Sequence, residues 1–150
     1  MQNTTHGYPY PLGTDFVRDG DDVIGALAQA LDPAPTTLTI TAAAGWTAGS
    51  GRVLRIGPLV YWSVGMTRTG AAIVTDSTGN TTDVPVFTGL PANLRPDPTV
   101  ARVRCIKSDN HDLYGYVDNT GACYFTHGWP SQTYAATSGY QLIAQYFLGF

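Results

Sequence analysis

"VARVRCIKSDNHDLYGYVDNTGACYFT", residues 100–126, contains the pattern on which the fold turns. In its first eight residues Ala101, Val103 and Cys105 face away from Arg102 and Arg104, the two-residue period of a strand with one buried face. "LYGYVD" (113–118), the turn residues "NTG" and then "ACYFT" (122–126) read as a β-hairpin. The same alternation recurs on both sides. Leu38 and Ile40 alternate with Thr37, Thr39 and Thr41, and "RVLRI" (52–56) sets Leu54 and Ile56 against Arg52 and Arg55, imperfectly. In "VYWSVGM" (60–66), Val60, Trp62, Val64 and Met66 share one face; "AAIVT" (71–75) is shorter, and "YQLIAQYF" (140–147) is the last strand. Short strands separated by turn signals predict a mainly β chain: an antiparallel β-sandwich, jelly-roll-like.

Composition agrees. The 150 residues fit one domain with a real core, and only 13% are charged, about half the usual share. All eleven acidic residues are aspartate, beside twenty threonines, 17 glycines and 10 prolines. Thr, Tyr and Val suit strands; Gly, Pro and Asp suit turns. The net charge is −3, and eight basic residues scattered from Arg18 to Lys107 form no stripe for phosphates, which argues against nucleic acid. No run reaches the roughly 20 apolar residues that cross a bilayer, and no basic flank precedes an apolar run at the N-terminus, so neither membrane insertion nor a secretory signal is expected. Cys105 and Cys123 are too few for a disulfide framework and read as two buried thiols, a single bridge being the alternative.

The N-terminal stretch "YPYPLGTDFVRDGDDVIGALAQALD" (8–32) is of another kind. Residues 1–18 lack periodicity, and Pro9 and Pro11 make "YPYP" a stiff extended peptide displaying Tyr8 and Tyr10 for docking on another surface. Asp19, Asp21 and Asp22 suit a helix N-terminus, and Asp32-Pro33 stops the helix, giving 19–32. Val23, Ile24, Leu27, Ala28 and Leu31 share one side. About three turns is marginal in isolation, so this stripe needs burial, against the β domain or against the same helix of sister chains. "PAPTT" (33–37) reads as a rigid linker and 38–150 as the head.

Candidate chemistry is sparse. His6, His111 and His127 lie in separate polar stretches. "SDNHD" (108–112) reads as an Asx-rich loop; a calcium site or a Ser-His-Asp device lacks the necessary spacing or motif, and paired carboxylates for glycoside cleavage have no distinctive signal. No catalytic residue, metal or cofactor is assigned. The loop "THGWPSQTYAATSG" (126–139) offers Trp129 and Tyr134 among small polar residues, suited to sugar or protein contact or to plugging the sandwich. Trp62 reads as core and Trp46 as cover for a sheet edge. The final "LGF" is apolar, so the last strand is expected to be buried in the core or between subunits.

Taken in order, these stretches resemble virion proteins of tailed phages infecting actinobacteria. The leader, with its aromatic-Pro segment, acidic patch and "IGALAQAL" (24–31), is similar to leaders on such tail and virion proteins. "GWTAGSGRVLRIGPLVYWSVGM" (45–66), "LPANLRP" (90–96) and "SGYQLIAQYF" (138–147) resemble the β-sandwich heads of phage fibres and receptor-binding proteins. The resemblance implies a structural, non-enzymatic homotrimer in the virion. Tyr8, Pro9, Tyr10 and Pro11 would dock on another virion protein; Ile24, Leu27, Leu31, Phe147 and Phe150 would join subunits; Trp129 and Tyr134 would meet host cell-surface glycan. No fibre shaft separates neck from head, which points to a stubby appendage on the tail tip or decorating the capsid. A free carbohydrate-binding or hydrolytic sandwich and an assembly factor are the other classes.

Overall fold

The Ala- and Leu-rich second half of a twelve-residue run supports α1, Gly20–Leu31; Thr-, Val- and Tyr-rich runs make the remainder strands. The computed structural model describes residues 2–3, 9–10, 20–31, 34–96, 100–107 and 111–148. In chain order the strands are β1 (Gln2–Asn3), β2 (Pro9–Tyr10), β3 (Thr36–Thr37), β4 (Thr41–Ala42), β5 (Trp46–Ile56), β6 (Leu59–Arg68) and β7 (Ile73–Val74). There follow β8 (Asn80–Thr88), β9 (Ala101–Ile106), β10 (Leu113–Val117), β11 (Cys123–His127), β12 (Thr133–Tyr134) and β13 (Gly139–Phe147).

Nine strands form one antiparallel sheet in the order β3-β5-β6-β13-β9-β10-β11-β8-β4. The sheet curls until β4, at one edge, lies beside β5 near the other. Its two halves thus face each other as the layers of a sandwich. Trp62 on β6 meets Phe87 on β8 edge-to-face at 5.6 Å, and Trp46 on β5 meets Phe125 on β11 at 5.7 Å. Val60, Val64, Val103, Leu113, Val117 and Leu142 complete a core of fully buried side chains, each stabilising by roughly 1.5–3 kcal/mol. The inward residues of β6 and β9 are those the alternation selected.

Several details differ from the sequence reading. Thr36 and Thr37, expected in the linker, pair with Val53 and Arg52 of β5. Trp46 does not cover an edge; it opens β5 and is buried against Phe125 and Tyr140. β5 reaches back to Trp46 through a bulge between Ala48 and Gly51, where a Cβ on Gly51 would stand 2.8 Å from the Leu38 carbonyl oxygen. β8 had no place in the reading, because Thr81, Thr82 and Asp83 are polar and Pro85 withholds a backbone donor. β4 covers only Phe87 and Thr88, so Pro85 stands where β8 is an edge.

Two turns share one construction. In "DSTGN" (76–80), Asp76 Oδ1 accepts from Thr78 N at 2.8 Å, Thr78 Oγ1 at 2.7 Å and Asn80 N at 3.0 Å. In "DNTGA" (118–122), Asp118 Oδ1 accepts from Thr120 N at 2.9 Å, Thr120 Oγ1 at 2.7 Å and Ala122 N at 3.0 Å. Each aspartate thereby ties its turn shut.

Candidate functional site

The outward face of the sheet is divided in two. Cross-strand register places Ile56, Leu59 and Phe147 in one row across β5, β6 and β13, and Leu54, Tyr61 and Gln145 in the next. Phe147 is 60% and Tyr61 40% exposed, while Leu54, Ile56 and Leu59 are half-buried. Pro35, Leu54 and Tyr61 line a small apolar groove of about 160 Å³ beside the chain's entry into the head. A solvated sheet face ordinarily alternates to polar residues, and this half departs from that by exposing Tyr61 and Phe147.

The other half, on β9, β10 and β11, is aromatic and polar. Tyr116 stands opposite Arg102 on one side and Tyr124 on the other; Tyr114 stands opposite Arg104 and His127. Val100, Arg102, Tyr114, Tyr116, Thr126 and His127 line a groove of about 590 Å³. Its rings are held in place. Tyr116 stacks on Tyr124 with centroids 5.3 Å apart and planes at 30°, and its hydroxyl donates to Asp83 Oδ2 at 3.1 Å. Slight burial, with the Asp83 carboxylate, raises Tyr116 above the ordinary phenol pKa. Between Tyr114 and Tyr116, Gly115 sits at a register shift so close to β11 that a Cβ would overlap the Tyr124 carbonyl oxygen. Only glycine fits there, and the bulge sets the angle of Tyr114.

The two arginines of β9 differ. Arg104 donates through Nε at 2.8 Å and Nη2 at 2.6 Å to Asp112 Oδ2, and the Asp112 bond and charge raise its pKa. Arg102 is exposed and has neither a hydrogen bond nor an ion pair among the described residues.

Of the loop aromatics, Trp129 is 52% exposed, with His111 edge-on at 5.7 Å. Of the two roles the loop allowed, Tyr134 takes the plug and not the glycan contact: it is buried, accepts from Trp129 N at 2.8 Å and donates to the Asp112 carbonyl at 3.2 Å. β12 pairs with β7, and the Thr75 hydroxyl accepts from Gln132 N at 3.0 Å. The loop is therefore a stapled plug that presents Trp129 at its tip. Tyr114, Tyr116 and Tyr124, which the sequence reading passed over, share the outward face through their even spacing and hairpin register.

On α1, Ile24 is 67% and Leu27 37% exposed. The head does not bury them, and the strand beside the helix is β2, where Pro9 and Tyr10 pair with Asn3 and Gln2. Tyr8, Pro11, Phe150, residues 108–110 of the Asx-rich loop and the side chains of Pro9, Tyr10 and Leu31 lie outside the described residues. Cys105 and Cys123 are free, buried thiols, and burial pushes both far above the usual thiol pKa. Among the described residues no group of three or more His, Cys, Asp and Glu is placed to hold a metal ion, and no helix is long and apolar enough to cross a membrane. Compared with family models, curated proteins and solved structures, the chain matches none.

Proposed function

We propose that the chain is a structural subunit of a tailed-phage particle: a short trimeric appendage, attached through its N-terminal residues, whose β head meets the host surface. One observation carries the reading: α1 keeps Ile24 and Leu27 exposed outside the head. Such a stripe is stable in water only when covered, and identical helices are the simplest cover. Geometry extends the argument. Leu31 and Thr36 are joined by residues 32–35, which span at most roughly 18 Å. Associated helices would hold their heads within that distance of the shared axis, where each head presents Pro35, Leu54 and Tyr61. At the effective concentrations such a tether produces, a modest apolar face suffices to close the assembly. The motif resemblance supplies the setting, the virion. The aromatic half of the face stays outward and supports receptor binding on the tail; capsid decoration is the second reading, and a head joined to its helix without a shaft fits a stubby appendage in either place.

Light scattering on the full chain at micromolar concentration tests the assembly: a mass of three 16.0 kDa chains is expected, and a monomer overturns the reading. Tyr61→Asp combined with Phe147→Asp should lower that mass while leaving the β circular dichroism unchanged. In purified virions, tens of copies would mark a tail appendage and hundreds a capsid decoration.

A further inference from the structure

We infer that the groove on β9–β11 is a binding site for a carboxylate-bearing saccharide, with Arg102 receiving the carboxylate and Tyr114 packing against a face of the sugar ring. The inference rests on the receptor-binding reading and names the ligand class of that head. The first ground is the contrast between the paired arginines. Arg104 is occupied by Asp112 at 2.6 and 2.8 Å, whereas Arg102, one pleat away and lining the groove, has no internal partner among the described residues. An uncommitted guanidinium presents a planar fork of donors that matches a carboxylate.

The second ground is rigidity. Tyr116 is fixed by Tyr124 and Asp83, and the tight Gly115 bulge against β11 sets the backbone that carries Tyr114, whose side chain stays 45% exposed. Fixed aromatic faces bind the apolar face of a pyranose with little ordering cost, and His127 adds a polar group at the rim. The third is what the groove lacks. Arg102 is the one cation among the described residues that line the groove, in a chain of net charge −3, and a single cation does not make a polyanion track, which disfavours nucleic acid. Val100 is the one aliphatic side chain among the described residues lining the groove, a poor match to a peptide's apolar anchor. A neutral sugar would make no use of Arg102.

The test is titration of the full chain with uronate tetrasaccharides (galacturonate, mannuronate and hyaluronan), each beside its carboxyl methyl ester. At least one acid form should bind about tenfold or more tightly than its ester, the scale of one charge-assisted hydrogen bond. Arg102→Gln should remove that preference, Arg102→Lys should restore part of it, and Tyr114→Ala should weaken acid and ester together. Ser63→Ala, on β6, should bind as the wild type does. Equal affinity for acid and ester, unchanged preference in Arg102→Gln, or no binding of any tetrasaccharide each overturns the inference. Light scattering of the same samples separates the two readings. A trimer blind to uronates removes the saccharide site alone, and a monomer that binds them removes the assembly alone.

Discussion

The Trp62 indole nitrogen donates to the Tyr146 hydroxyl at 3.1 Å, and that hydroxyl donates in turn to the Leu94 carbonyl. The chain ties the "LPANLRP" turn to β6 and β13 and satisfies a buried indole. Tyr146→Phe leaves two groups without partners and should cost about 1–3 kcal/mol, read from the urea midpoint. Burial raises the Tyr146 pKa to about 12 from the ordinary 10. A group raised on folding contributes stability below its unfolded pKa and loses it as pH rises toward the folded one. Wild-type stability should therefore fall between pH 10 and 12, and Tyr146→Phe should flatten that decline.

Tyr134 links the Trp129 backbone to the Asp112 carbonyl from a buried position. Tyr134→Phe should destabilise by about 1–2 kcal/mol, and protease cleavage after the change should appear first within 126–139. Trp129→Ala removes a mostly exposed ring and should shift stability by less than about 1 kcal/mol. Equal losses in the two variants would contradict the plug.

Cys105 and Cys123 lie on the inward faces of β9 and β11, and burial disfavours their thiolates. Native protein should resist alkylation at pH 8. Two labels should appear per chain on unfolding in denaturant without reductant. Fewer than two would reveal a bridge.

At Asp118 burial acts to raise the pKa, but hydrogen bonds from Thr120 and the Ala122 backbone outweigh it and hold the carboxyl below 3.8. A depressed carboxyl contributes stability above its unfolded pKa and loses it as pH falls through the folded one. Melting temperature should drop below pH 4. Asp118→Asn, which keeps an acceptor oxygen and cannot titrate, should show a shallower drop; an identical profile would remove Asp118 from the acid transition.

The inward alternation of β6 and β9 made most of the core legible, because a period of two leaves each side chain one choice of face. What stayed hidden depended on approach rather than pattern. Gly115 read as part of a regular hairpin strand and Gly51 drew no reading, yet each marks a bulge that only a missing Cβ permits. Tyr134 stayed open between surface contact and plug until its hydroxyl met two backbone groups. The groove eluded linear reading because Arg102, Tyr114 and Tyr124 become neighbours only through hairpin register. The helix stripe was visible at once; its exposure in the single chain depends on α1 lying outside the head, which no local pattern encodes.

Pro85 has a consequence for growth of the object. Beyond the two residues of β4, the margin of β8 lies open, and a matching strand from another molecule would otherwise add there without limit. A residue that cannot donate its nitrogen interrupts that template. Contacts through helices and sheet faces can close on themselves after a few copies; contacts through strand margins make filaments. By blunting the margin, Pro85 disfavours strand-to-strand addition and so the growth of fibrils.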